Sequence, residues 1–384
     1  MGYLDEYKRL SESYRTDMGF FRFDDLGITI RNIPFHSSNT AFLPTSDESS
    51  DMTGFPSDRE ISENRDFSYP LIQKTADEDA SRVIILLHGL NERSWDKYLP
   101  WAKTLCKNTG HPVILFPISF HMNRAPVQWS EPRTMSKLVK KRREIHPAIH
   151  HATFVNAAIS SRLESCPQRF FLSGLETYFD LYDLIRQIQQ GQHPVLPNDT
   201  GFHFFGYSIG AFLTEIMLMT NPENRLSDSK AFLFCGGTTF DKMNGLSKFI
   251  LDSSAFEQLR HFFLESDFSV RLTEPVRNMV EKHKLFDTFR AMVDSLGYEE
   301  VRNKKLSQLF HRMQLCPLAK DAVIPVKAVE ETFVRAVGKL RNIVRPLDFP
   351  YAYSHETPFP ENVEKNLVNQ AFETVFRRAS SFLK

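Results

Sequence analysis

Residues 202–214 read Phe-His-Phe-Phe-Gly-Tyr-Ser-Ile-Gly-Ala-Phe-Leu-Thr. Bulky residues run into Gly206, and a helix-like pattern begins after Gly210. A serine between two glycines at the end of an apolar strand has two readings. It is an incidental residue in a plain strand–glycine turn, or a nucleophile raised at a sharp strand-to-helix turn. In the second reading, small residues two before and two after the serine let helix and strand approach closely. That reading needs a buried strand before Ser208 and an amphipathic helix after it, and FHFF and AFLTEIMLM supply both. The start of such a helix offers free N–H groups and a positive dipole end to a developing oxyanion.

The rest of the chain repeats this alternation. VIILLHGL (83–90), PVILFPIS (112–119), AFLFCGG (231–237) and MQLCPLA (313–319) are short apolar runs, as expected of strands covered on both faces. Helical patterns lie between them in SWDKYLPWAKTLCKN (94–108), LETYFDLYDLIRQIQQ (175–190) and VKAVEETFVRAVGKL (326–340). A short strand is expected near 343–349 and a last helix from Glu361. Strands alternating with helices predict an α/β fold, a mostly parallel sheet flanked by helices. Residues 1–35 hold an amphipathic helix and the strand-like GITIRNI, and the polar stretch 36–70 reads as a long surface loop. Residues 120–170 and 241–312 break the alternation and read as insertions.

Composition narrows the function. The chain has 384 residues, 41% hydrophobic and 24% charged, enough for a large core. Lysine plus arginine equals aspartate plus glutamate at 47 each, so no global field favours nucleic acid. The 34 phenylalanines imply many aromatic walls. No run approaches the length of a membrane span, and the charged start MGYLDEYKRL lacks the apolar stretch of a secretory signal. Cys106, Cys166, Cys235 and Cys316 are scattered without metal-like pairing. A reduced, cytoplasmic protein without metal or organic cofactor is the expectation, with oligomeric state open.

The buried strand, the Gly206-Tyr207-Ser208-Ile209-Gly210 turn and the helix after it resemble the α/β-hydrolase superfamily. The resemblance implies an α/β-hydrolase core at 76–240 and 313–384, carrying the 120–170 insertion and a helical cap at 241–312. Residues 1–75 would form an N-terminal extension. By the same resemblance Ser208 is the nucleophile, and the backbone N–H groups of Ile209 and of Leu90, after the His88-Gly89 pair, form the oxyanion hole. Asp321, in the loop–Asp–apolar–Pro segment KDAVIP, is the implied acid, with Asp241 as the alternative one strand earlier. His355 is the implied base, because it falls just before a helix whose Val363, Leu367, Ala371, Val375 and Ala379 recur at spacings of four. The activity implied is hydrolysis of a carboxylic ester, thioester or amide of a small to medium acyl substrate, carboxylesterase-like first. The rival is a hydrolase-fold protein that binds a ligand or partner without turnover.

Other signals weigh less. The basic run KLVKKRREIH (137–146) reads as a solvated face, and His146, His150 and His151 lack a third metal ligand at convincing spacing. His121 and Arg124 follow a strand whose carboxyl end should border the site, so either is a candidate substrate contact. The surplus helices of 241–312 place Phe256, Phe262, Phe263, Phe286 and Phe289 as walls of an apolar pocket, or only as packing between cap and core.

Overall fold

The computed structural model of the protein describes residues 2–39, 55–75, 81–265, 272–338 and 343–384. Its strands are β1 (Phe20–Phe23), β2 (Ile28–His36), β3 (Asp66–Lys74), β4 (Arg82–Leu87), β5 (Val113–Phe116), β6 (Gly201–Tyr207), β7 (Ala231–Phe234) and β8 (Met313–Cys316). They form one eight-stranded sheet in the order β1-β2-β3-β5-β4-β6-β7-β8. The first three strands run antiparallel to their neighbours, and β5, β4, β6, β7 and β8 are mutually parallel.

The helices of the first half are α1 (Tyr3–Ser13), α2 (Ser62–Arg65), α3 (Tyr98–Thr109), α4 (Pro132–Ile145), α5 (Ala157–Ser165), α6 (Gln168–Gln189) and α7 (Ile209–Thr220). The second half adds α8 (Ser253–Arg260), α9 (Glu274–Lys282), α10 (Leu285–Val293), α11 (Glu299–Leu309), α12 (Val326–Val337) and α13 (Lys365–Leu383).

The parallel strands are buried along their length, so successive side chains serve two separate cores. Val83, Ile85 and Leu87 pack with α6, α7 and α12 on one face, while Ile84 and Leu86 pack with α1, α3 and α13 on the other. On the second face Trp101 meets Phe205, Tyr207, Phe234 and Phe376 at ring distances of 5.3–6.1 Å. Many of the phenylalanines are spent there. A mostly parallel sheet flanked by helices, with the Ser208 turn at the carboxyl end of a central strand, is the α/β-hydrolase fold. No described helix is long and apolar enough to cross a membrane.

Three expectations need correction. The stretch 36–70 is not one surface loop. Its last residues open β3, which pairs with β2 over nine positions from His36–Asp66 to Ile28–Lys74. Pro70 and the polar neighbours hid the inward face made by Phe67, Tyr69 and Leu71. Upstream, Asp58 and Asn64 are buried rather than solvated, and residues 40–54 lie outside the described set. The helix expected from Leu175 starts at Gln168, because Phe171 and Leu172 extend its apolar stripe across Gly174. The strand expected near 343–349 reduces to two bridges, Leu315–Val344 and Leu318–Leu347. The end of the 326–340 pattern beyond Gly338 also lies outside the described residues.

The two inserted sections are fastened to each other. Arg142 of α4 donates Nε and Nη2 to Asp252, at 2.7 and 2.8 Å, and Asp252 in turn caps α8. The basic run is therefore part anchor, since Arg142 is buried while Lys140 and Lys141 face outward. Helices α10 and α11 pack on α7, the helix that follows Ser208.

Candidate active site

Ser208 joins β6 to α7 with φ 57° and ψ −121°, a left-handed backbone that a non-glycine residue adopts only under strain. The turn is tight enough to fix both flanking residues. A Cβ on Gly206 would lie 2.6 Å from the Ala211 Cα, and one on Gly210 would lie 2.3 Å from the Leu87 carbonyl oxygen. No side chain fits at either place without moving main chain.

Two segments after later strands converge on this turn. Asp321 follows β8, and its Oδ1 accepts the Val323 and Ile324 N–H groups at 2.9 and 2.8 Å. Those bonds leave Oδ2 facing His355 Nδ1 at 2.7 Å. On the other edge of the ring, His355 Nε2 stands 2.7 Å from Ser208 Oγ. With Nδ1–H given to the carboxylate, Nε2 is the acceptor for the serine hydroxyl. The three residues are 6%, 3% and 4% exposed for Ser208, His355 and Asp321, so the chain of contacts lies almost out of water.

The histidine loop is held from behind by residues that carry no motif of their own. The Tyr207 hydroxyl donates to the His355 carbonyl, and its ring lies 5.6 Å from the imidazole at an interplanar angle of 17°. Burial raises the Tyr207 pKa well above its ordinary value, which keeps the phenol a donor. Lys97 Nζ donates to the Glu356 carbonyl at 3.1 Å. Cys235, at the end of β7, places its thiol beside Asp321 and His355. Burial and then the Asp321 charge push that thiol well up, so it stays protonated. Polar residues within strand-end segments were the available signal for Tyr207 and Cys235.

The turn after β4 faces the same point. Burial lowers the His88 pKa to about 3, so the ring is neutral. Its Nδ1–H donates to the Gly89 carbonyl at 2.8 Å, and Nε2 accepts the Ile118 N–H at 2.9 Å. The Gly89 N–H donates to the Tyr98 hydroxyl at 3.1 Å. Asn91 Nδ2 donates to the Val155 and Phe249 carbonyls, tying the turn to both inserted sections. Leu90 thus lines the same spaces as Ile209, whose N–H, at the first position of α7, has no acceptor within its helix.

Two apolar cavities meet at Leu90, Ile209 and Phe170. One, about 470 Å³ with the space open to solvent included, is lined by Ser208, Phe240, Met243, Phe256, Leu259 and Ile324 among others. The other, about 640 Å³ on the same measure, extends between α6, α7 and α10 and is lined by Ile118, His121, Phe171, Phe212, Leu213 and Phe289 among others. Of the five phenylalanines expected as walls, Phe256 and Phe289 line these spaces. Phe263 packs against the rings of Phe170, Phe240 and Phe289.

Other candidates lie elsewhere. Asp241 accepts from Ser295 Oγ at 2.5 Å, and its carbonyl accepts from Arg260, whereas the His355 ring meets Asp321. A substrate contact at Arg124 is corrected: its guanidinium is fully buried, 2.9 Å from Asp180 and 3.5 Å from Glu176. His121 does line the larger cavity. His146 pairs with Glu164 at 2.7 Å. Among the described residues, Cys235, Asp321 and His355 bring three potential metal-ligating atoms within 4.8 Å. The Asp321–His355 distance of 2.7 Å is that of a hydrogen bond, shorter than the roughly 3.3 Å between ligands of a tetrahedral zinc ion.

Among solved structures, the chain is similar to carboxyl esterase 2 of the mycorrhizal fungus Tuber melanosporum, with 10% identity and a TM-score of 0.45 over 99% of this chain and 98% of that one. It is similar to a thermostable esterase of Pseudomonas putida ECU1011, with 9% identity and a TM-score of 0.44 over 100% and 91%. A cold-adapted esterase from an Arctic intertidal metagenomic library gives 11% identity and a TM-score of 0.42 over 97% and 100%. No curated protein matches the chain in sequence. The match that spans the whole chain, residues 1–384, is to a family of unknown function, DUF6051, and the protein belongs to that family.

Proposed function

We propose that the protein is a serine hydrolase acting on a carboxylic ester, thioester or amide through an acyl-enzyme, with carboxylesterase activity first. The observation that carries this reading is the unbroken chain of contacts from Asp321 Oδ2 through His355 to Ser208 Oγ, both at 2.7 Å, ending on a strained residue beside an apolar cavity.

His355 Nε2 takes the hydroxyl proton as Ser208 Oγ bonds to the carbonyl carbon. The carbonyl π electrons move onto oxygen, and the N–H groups of Leu90 and Ile209 stabilise that oxyanion. Asp321 holds the imidazole in the tautomer that can accept, and stabilises its charged form. Collapse of the intermediate breaks the bond to the leaving group, which takes the proton from Nε2–H. Water, deprotonated by the same nitrogen, then attacks the acyl carbon and frees Ser208.

In this proposal residues 76–240 and 313–384 are the catalytic core and 241–312 form a cap. Met243, Phe256 and Leu259 on one side and Leu285 and Phe289 on the other wall the cavities. The apolar walls select small or medium substrates with an apolar portion. A fluorophosphonate probe should label the wild-type protein at Ser208 and leave folded Ser208→Ala unlabelled. Equal labelling of the two would remove Ser208 as the nucleophile.

A further inference from the structure

The larger cavity is apolar except for few groups, and most of those are committed. Ser173 Oγ donates to the Phe170 carbonyl at 3.2 Å, and the Tyr178 hydroxyl to Thr220 Oγ1 at 3.0 Å. His121 differs. The residue is 5% exposed, and its Nδ1–H donates back to the Ser119 carbonyl at 2.9 Å. Nε2, at the far tip of the ring, is buried and has no hydrogen-bond partner among the described residues. Burial, with the neighbouring His88 and Arg93, drives the pKa well below the ordinary value, so the ring is neutral and Nε2 is an acceptor.

A buried acceptor without a donor is costly, and native structures retain such groups where a ligand or water completes them. Here the acceptor belongs to a residue that lines the cavity together with Leu90 and Ile209, the two residues placed around the oxyanion. We infer that this cavity receives an arm of the substrate bearing a hydroxyl or amide N–H, with His121 Nε2 as its acceptor. The inference rests on the hydrolase reading for the substrate's being an acyl compound. It makes the preferred substrate a hydroxylated or amide-bearing acyl compound rather than a plain aliphatic one. A site built around a buried acceptor rejects the analogue lacking the donor more strongly than it rejects a change of one methylene.

Two substrate series test this. One is p-nitrophenyl octanoate with a hydroxyl walked from carbon 3 to carbon 8. The other is the acetates of 1-octanol and of octanediols, which load the other arm. The readout is the ratio of kcat/KM for each hydroxylated compound to its parent. At least one isomer should exceed its parent by about tenfold or more. That ratio should fall close to one in His121→Leu and recover in part in His121→Gln, which restores an acceptor. His121→Phe supplies the same contrast if His121→Leu does not fold. A panel with no isomer above its parent, or a preference that survives loss of the imidazole, overturns the inference. Fluorophosphonate labelling of the same preparations keeps the two readings apart. If Ser208 is unlabelled and no ester is cleaved, the hydrolase reading fails by itself. Thermal shifts with 1-octanol against the octanediols then decide this inference: a larger shift with a diol that His121→Leu abolishes supports it, and equal shifts overturn it.

Discussion

Two buried polar clusters lie at the carboxyl-end side of this sheet, and they are built on opposite principles. In the first, Ser208, His355 and Asp321 form a linear chain of single contacts that ends on a strained backbone beside an apolar cavity. In the second, Arg124 sits between Asp180 and Glu176 and donates to the Asn64 side chain and to the carbonyls of Asn64 and Pro117. Its guanidinium also stacks 4.2 Å from the Phe67 ring centroid. Glu176 accepts from Asn64 and Ser119, and Asp180 from Ser37 and Asn39. The second cluster closes on itself, joining α6 to the N-terminal strands. Burial raises the Glu176 pKa against the pull of Arg124, and the second carboxylate, Asp180, adds to the rise. Both clusters are buried, so burial does not separate the site proposed to react from a structural one. What separates them is whether the chain of partners ends inside the protein or at a space.

The largest effect expected from this contrast is on chemistry alone. Ser208→Ala should lower hydrolysis of a p-nitrophenyl ester by about four orders of magnitude or more, with the urea midpoint near wild type. Unchanged turnover in the folded variant would break the comparison at its first term. Asp321→Asn should come next, at about 10⁴-fold in kcat, because the amide favours the wrong imidazole tautomer. Asp241→Asn should remain near wild type, since the Asp241 carboxylate meets Ser295 rather than His355. The reverse order of the two variants would move the acid to the segment after β7.

The other cluster should answer in stability. Arg124→Leu leaves two buried carboxylates and Asn64 without their common partner, and a broken buried ion pair costs about 3–5 kcal/mol. The urea unfolding midpoint should fall accordingly, while kcat per folded molecule stays near wild type. A variant as stable as wild type, or one that folds normally and loses turnover, would show that the two clusters are not separable.

One cluster could be read from the sequence and the other could not, because they are encoded differently. Ser208, Asp321 and His355 each sit next to a recognisable element: a buried strand with its flanking glycines, the KDAVIP segment after MQLC, and the start of an amphipathic helix. Strand ends in a parallel sheet share one edge, so chain order and local pattern were enough to bring the three together. Asn64, Arg124, Glu176 and Asp180 come from a polar stretch, a short turn and one long helix, and no periodicity links them. Arg124 accordingly read as a substrate contact when it is a core cation. The same blindness hid β3, whose Pro70 and polar flanks masked a strand that only its long-range pairing with β2 reveals.

The smallest expected effect lies where the clusters' two principles meet. Tyr207 is the residue before the serine, yet its hydroxyl works structurally, donating to the main-chain carbonyl of His355 from a fully buried ring. Tyr207→Phe removes that hydroxyl and keeps the ring that stacks on the imidazole and lies tilted against Phe234, 5.8 Å away. A single neutral hydrogen bond contributes about 1 kcal/mol, so the fold should lose little. The bond does, however, set the loop from which His355 reaches Ser208 Oγ, and a displaced base costs rate through orientation. The expected outcome is a roughly tenfold fall in kcat with KM nearly constant and a urea midpoint shifted only slightly. A pure stability loss with unchanged kcat would place Tyr207 with Arg124, on the structural side of the comparison. A fall in kcat as large as that of Asp321→Asn would instead make the Tyr207 hydroxyl part of the reacting constellation itself.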